Sequence, residues 1–263
     1  MKEKIKIGII GGSGVYDPGL VKNAKKIKVH TPFGPTSDLI TTGYIKGRPV
    51  VFIPRHGLHH TINPTNVNYR ANIYAMKKLG VTHILAPSAV GSLNEGMKPG
   101  DFVFTDQFID RTYKRETTFY TGSQVCHISV AEPCCPVLRK LLSHSSKKLG
   151  FPYHEKGTCV VIEGPRFSTK AESNMFRSWN ADIIGMTMTP EVVLAREAEI
   201  CYATIAMVTD YDVWRGTYVS GDEVAATMKN NLNKVKQLLL DVIPRIPSER
   251  TCNCKNALKG SIM

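Results

Sequence analysis

The sequence predicts an α/β fold: a single domain with a mixed central β-sheet flanked by helices. Three observations carry this. Short apolar runs alternate with amphipathic stretches along most of the chain. Several apolar runs end abruptly in small or polar residues, as strands do where they pass into loops. A length of 263 residues suits one large α/β unit and can bury a substantial core without disulfides.

The elements follow in order. Ile5 to Ile10 is apolar and runs into Gly11-Gly12-Ser13-Gly14. Val50 to Pro54 reads as a second strand. Tyr69, Ile73 and Met76 share a helical face that Gly80 closes. His83 to Pro87 is a third strand, entering Ser88-Ala89-Val90-Gly91, and Phe102 to Thr105 a short fourth. Leu138, Leu141, Leu142 and Leu149 form a helical stripe ending at Gly150. Thr158 to Ile162 and Ala181 to Gly185 are strands, and Glu191 to Glu199 is helical with Pro190 in its first turn. Cys201 to Val208 is a buried strand. Val224, Met228, Leu232, Val235 and Leu239 then mark a long amphipathic helix. The catalytic unit is expected over 1–245, and the polar stretch 246–263 as a C-terminal tail.

Composition narrows the class. Charged residues make up 21% and hydrophobic ones 42%, which describes a folded chain and not a disordered one. No apolar stretch is long enough to span a bilayer, and the charged start lacks the apolar run of a signal peptide, so a soluble cytoplasmic protein is expected. The net charge of +12 is compatible with anionic partners. Its densest early cluster, Lys22 to Lys28, has no aromatic residue for base stacking. A solvated surface is favoured over nucleic acid.

Five segments bear on chemistry. Gly11 to Gly14 lets backbone approach an anion, with the Ser13 hydroxyl as a donor. A tight structural turn explains it equally well, and it fits neither the dinucleotide nor the P-loop spacing. Arg55-His56-Gly57 at a strand end offers a bidentate cation and a further donor. Ser88 and Ala89 stand at a third strand end. Three such junctions suit an oxyanion held by separate loops. Asp210 and Asp212 follow the most apolar strand, where they can accept from a base bearing several N–H groups. A metal role lacks further ligands there. Phe167, in Glu163 to Ser168, and Met186, beside Thr187, can form apolar walls for a flat base and a sugar, although each taken singly is more often just core. Of the seven cysteines, Cys252 and Cys254 form a C-x-C. It reads as a disulfide or redox pair or as two free thiols, and as a zinc half-site it is incomplete.

Together these segments resemble the methylthioadenosine phosphorylase branch of the purine nucleoside phosphorylase family. The likeness runs from about Lys6 to Trp214. It is closest at Thr31 to Gly34, Pro54 to Gly57, Asp106 to Thr112, Ile162 to Ser168, Met186 to Leu194 and Thr209 to Trp214. The resemblance implies phosphate contacts from Ser13, Arg55, His56, Ser88, Thr187 and the Ala89 amide. It implies that Met186 packs on a ribose, that Phe167 and Ser168 line a base site, and that Asp210 and Asp212 face N7 and the 6-amino group. His127 from a neighbouring subunit and Val224 would cover the 5′ substituent. Ala225 stands where some relatives carry leucine.

The implied reaction is phosphorolysis of 5′-methylthioadenosine, in purine and methionine salvage, with catalytic roles for Asp210, Asp212 and His56. Inorganic phosphate is a co-substrate, and no cofactor or metal is implied. Protonation of N7 by Asp210 requires a raised pKa. Partners are the nucleoside and phosphate, with neither nucleic acid nor membrane, and the family's trimers or dimers of trimers are expected. Relatives with a C-terminal C-x-C and internal disulfides suggest pairing of Cys252 with Cys254, and of Cys134 or Cys135 with Cys201. Alternatives are a broader purine nucleoside or methylthioinosine phosphorylase and a non-catalytic nucleotide-binding module. A dinucleotide oxidoreductase is disfavoured by the glycine spacing.

Overall fold

The computed structural model describes residues 3–12, 14–15, 18–216 and 219–263. Among these, eleven strands form one mixed sheet. β1 (Ile7–Gly11) lies parallel to both β4 (Arg48–Pro54) and β5 (His83–Ser92). β5 runs through the middle of the sheet. It pairs in parallel with β11 (Cys201–Tyr211) over nearly its full length, and antiparallel at its far end with β10 (Ile183–Gly185). β7 (Gln107–Arg111) and β9 (Thr158–Ile162) extend the sheet from β10. The two-residue strands β6 (Phe102–Val103) and β8 (Tyr153–His154) extend it from β11.

Strand alternation divides the interior into two cores. On one face, Ile10, Val51, Ile53, Ile84, Ala86, Tyr202, Ala206 and Val208 pack with α1 (Tyr69–Lys78) and α4 (Met188–Glu197). On the other, Ile7, Ile9, Val50, Phe52, Leu85, Ala203, Ile205 and Met207 pack with α2 (Pro136–Leu149) and α5 (Gly221–Arg245). The period of two along each strand thus produces a three-layer α/β/α sandwich. A smaller cluster around Val160, Phe176 and Ile184 seats α3 (Lys170–Ser178). α3 begins at a capping box in which Thr169 and Glu172 satisfy each other's amides.

The lysine-rich segment 22–28 holds a strand that its composition hides. β2 (Lys22–Ile27) pairs antiparallel with β3 (Ile40–Ile45) at the sheet edge, and its residues are mostly exposed. Lysines on an edge strand discourage pairing with another chain. The predicted strand at Phe102 to Thr105 shortens to two residues, since only Phe102 and Val103 meet β11. The predicted helix at Glu191 starts earlier, at Met188, with Thr189 non-helical inside it. Gly80, at φ +76°, closes the turn after α1 as expected.

The stretch after Arg245 packs against the body. Ile246, Cys254, Ala257 and Ser261 are buried. Met263 and Val125 exchange backbone hydrogen bonds, and the His127 amide donates to Ser261 O at 2.8 Å. A few apolar residues scattered through a polar run leave no periodic signal, which is why this docking is silent in the sequence.

Leu142 sits fully buried between α2 and the sheet. Leu142→Ala is expected to lower unfolding free energy by about 2–5 kcal/mol in chemical denaturation, with ligand binding by the remaining folded protein retained.

Candidate active site

One cavity of about 540 Å³ opens where β1, β4, β5 and β11 end. This is where an open α/β sheet places its ligand crevice. Gly12, Arg55, His56, Ser88, Ala89 and Thr187 line it, as do Phe167, Ser168, Met186, Asp210, Asp212 and Val224. Ser13 lies outside the described residues. His127 is exposed on the 112–133 excursion and does not line this chain's cavity.

Arg55 is almost wholly enclosed, and most of its donors are committed. Nε and Nη2 donate to the two Glu191 oxygens, both at 2.8 Å. Nη2 also donates to Ile10 O and Nη1 to Pro87 O. The bidentate fork that sequence reading offers to an oxyanion is therefore taken by Glu191. Of the five guanidinium N–H groups, these bonds leave one on Nη1. Burial opposes the Arg55 charge, but Glu191 outweighs it and pushes the pKa above the ordinary arginine range. Tyr202 completes the network by donating to Glu191 Oε1 at 2.8 Å.

His56 follows with a different bias. Its Nδ1 lies 2.9 Å from Ile62 O. A carbonyl only accepts, so Nδ1 carries the proton and Nε2 is left as an acceptor. Burial and then the Arg55 charge hold the imidazole down, to about 4. His56 is thus neutral at physiological pH, and the donor expected of it becomes an acceptor.

The acidic pair is set by a break in β11. The β5–β11 register shifts between Val208 and Asp210, so that Asp210 pairs with Gly91. A bulge of this kind re-aims the side chain that follows it. Thr209 Oγ1 lies 2.6 Å from Asp210 Oδ1. Ser168 donates to Asp212 Oδ2 at 2.6 Å. The Asp212 amide and Trp214 Nε1 both donate to Ser92 O, which pins this loop to β5. A Cβ on Gly91 would stand 3.1 Å from Asp210 Oδ2 and 3.0 Å from Ile184, so a side chain there would crowd the acidic loop.

Thr187 is the N-cap of α4, and its side chain makes no capping bond there. Its loop is held by a residue that sequence reading missed. Arg115, from the exposed excursion, donates through Nη1 to Met186 O and Thr189 O, both at 2.7 Å. Through Nη2 it donates to Glu163 O at 2.6 Å, and it pairs with the Glu163 carboxylate. Burial works against the Glu163 charge, but the Tyr113 and Lys114 amides and Arg115 hold its pKa below the ordinary range. Arg115 sits in a stretch without periodicity, so no sequence signal marks it. Glu191 and Tyr202 were legible only as helix and strand residues.

Fold and site define an α/β protein whose strand-end loops, suited to an oxyanion, share one cavity with a paired set of carboxylates. The chain belongs to the phosphorylase superfamily, whose family model matches residues 6–244. It is 58% identical over 261 residues to an S-methyl-5′-thioadenosine phosphorylase of Thermofilum pendens, covering 99% of this chain and 100% of that one. Among solved structures it is similar to a methylthioadenosine phosphorylase from an antarctic soil metagenomic library. That match has a TM-score of 0.94 at 43% identity and covers 100% of this chain and 93% of the other. Methylthioadenosine phosphorylase from Schistosoma mansoni, solved in complex with adenine, superposes with a TM-score of 0.92 at 41% identity, covering 98% and 97%.

Two outcomes are expected. Glu191→Ala leaves a buried guanidinium unpaired and should destabilise by about 3–5 kcal/mol in denaturant melts. Glu191→Gln, keeping shape and one acceptor, should cost less. For His56, the folded pKa lies below the unfolded value of about 6.5. Its contribution is therefore present above that pH and lost as pH falls toward about 4. His56→Gln should flatten the acid limb of the melting temperature in phosphate-free buffer. An unchanged slope would show that other groups set it.

Proposed function

We propose that this chain catalyses phosphorolysis of 5′-methylthioadenosine to adenine and 5-methylthioribose 1-phosphate. One observation carries the reading: the strand-end anion loops and the Asp210–Asp212 pair open on the same cavity. The relatives named above support it, by their names and by the adenine bound in one of them.

In this reading phosphate lies against Arg55, His56, Ser88, Thr187 and the Ala89 amide, and the family likeness adds the Ser13 hydroxyl as a donor. Neutral His56 accepts a hydrogen bond from the hydroxyl of monohydrogen phosphate, which stays a dianion, and the one remaining Arg55 N–H donates to an oxygen. The C1′–N9 bond breaks, its electrons pass to the base, and a phosphate oxygen forms the new bond at C1′. The dianion stabilises the positive charge that develops on the sugar. Asp210 supplies the proton at N7, so adenine leaves neutral. Asp212, with Oδ2 occupied by Ser168, accepts the 6-amino group through Oδ1. Met186 packs on the ribose and Phe167 on the base. Phosphate is the co-substrate, and the reaction uses no cofactor or metal.

At the 5′ end Val224, Met228 and Leu232 give the cavity an apolar wall, which suits a methylthio group. Ala225 also lines it, and its small size favours adenosine as a second substrate. His127 of a neighbouring copy would complete this end in a homotrimer or a dimer of trimers. Its exposure, and its distance from this chain's own cavity, support that arrangement. The described residues contain no helix long and apolar enough to cross a membrane, which is consistent with a cytoplasmic site of action.

Adenine release from methylthioadenosine, followed with and without phosphate, is expected only with phosphate. Asp210→Asn should lower kcat by roughly 10²–10⁴-fold, and inosine should be a poor substrate because its 6-oxo group meets an acceptor. Full activity of the variant removes the N7 role. Rapid inosine cleavage removes the adenine preference.

A further inference from the structure

Away from the cavity, the fold gathers four cysteines that the reaction does not use. Cys135 is the N-cap of α2 and Cys201 opens β11, while Cys252 and Cys254 come from the C-terminal segment. Read along the chain, the C-x-C lacks a second pair of ligands. The fold supplies it.

All four sulfurs lie within 4.8 Å of one another. Cys252 Sγ is 3.3 Å from Cys201 Sγ and 3.7 Å from Cys135 Sγ. A disulfide brings two sulfurs to about 2.05 Å. A tetrahedral thiolate site with metal–sulfur bonds of about 2.3 Å has edges of roughly 3.8 Å. Cys252 stands at similar distances from two partners, which suits a tetrahedron better than two separate pairs. Cys135 and Cys201 are fully buried and Cys254 nearly so. Cys134, the other expected partner of Cys201, belongs to the opposite core from Cys135 and is absent from the cluster.

Two features favour thiolates. The N-terminus of α2 points its positive end at Cys135, which makes no capping bond of its own. The Arg250 side chain, which forks onto the Glu3 carboxylate, is only 10% exposed and also lies against Cys201. Shared with Glu3, its charge offsets a fraction of the negative charge that four thiolates around a divalent cation would carry.

We propose that Cys135, Cys201, Cys252 and Cys254 bind one Zn²⁺ as a structural tetrathiolate site. Binding replaces four S–H bonds with four Zn–S bonds and releases four protons. It fastens the C-terminal segment to α2 and β11, and through the Val125–Met263 and His127–Ser261 bonds it steadies the excursion that carries His127.

The test is the metal content and thiol state of the full-length protein, purified without chelator or reductant. Zinc is measured by inductively coupled plasma mass spectrometry, and thiols by alkylation and intact mass after denaturation in EDTA. About one zinc per chain with all seven cysteines alkylated is the expected result. Cobalt exchanged into the site should show thiolate charge-transfer and tetrahedral visible bands. Cys252→Ser with Cys254→Ser should abolish zinc retention and lower the melting temperature, while Cys126→Ser keeps one zinc. A metal-free chain four mass units light, meaning two disulfides, overturns the proposal. So does a fully reduced chain that takes up no zinc when Zn²⁺ is added.

Discussion

The cavity depends on one buried ion pair. Arg55 and Glu191 are 2% and 0% exposed at their side chains and bond in a fork, with Tyr202 donating to the same carboxylate. The pair joins the end of β4 to α4. The Arg55 contacts to Ile10 O and Pro87 O add the ends of β1 and β5. Two charges taken out of water repay that cost only when geometry and hydrogen bonds are nearly complete. Here every oxygen of Glu191 and almost every N–H of Arg55 is used. On top of the strand pairing, this network ties together the ends that present Ser88, Ala89, His56 and Thr187.

A second constraint acts on the opposite wall. The loop carrying Met186 and Thr187 is fixed by Arg115, which arrives from a largely exposed excursion and is itself anchored on Glu163. The Arg55 end of the cavity thus has a rigid buried frame. The Met186 end is framed by a residue whose own segment is largely exposed. The β11 bulge supplies the third fixed point by turning Asp210 toward Gly91.

Much of the fold was legible because runs such as Ile5 to Ile10 and Cys201 to Val208 face two cores at once and stay largely apolar. β2 was not, since an edge strand needs no apolar face and this one is half lysine and mostly exposed. Strand-end position alone brought Arg55, His56, Ser88, Ala89, Asp210 and Asp212 into view, and the structure gathers them in one cavity. The family likeness, not periodicity, pointed to Phe167, Met186, Thr187 and Val224 as a set. The commitment of the Arg55 fork to Glu191, the Arg115 clamp and the convergence of four cysteines are all contacts between segments far apart in sequence. Local pattern carries no information about them.

The long helix α5 has one apolar stripe with two duties. Val235, Leu238, Leu239, Val242 and Ile243 are buried against the sheet, whereas Val224 and Met228 are half-buried on the cavity wall. Such a helix is a cantilever. Its C-terminal half is clamped by the core, and its first turns overhang the cavity with fewer buried residues beneath them. Local opening free energy falls along its length toward Gly221. Residues there can change the shape of the cavity wall at little cost to folding, so cavity shape and fold stability are free to evolve along separate ends of one element.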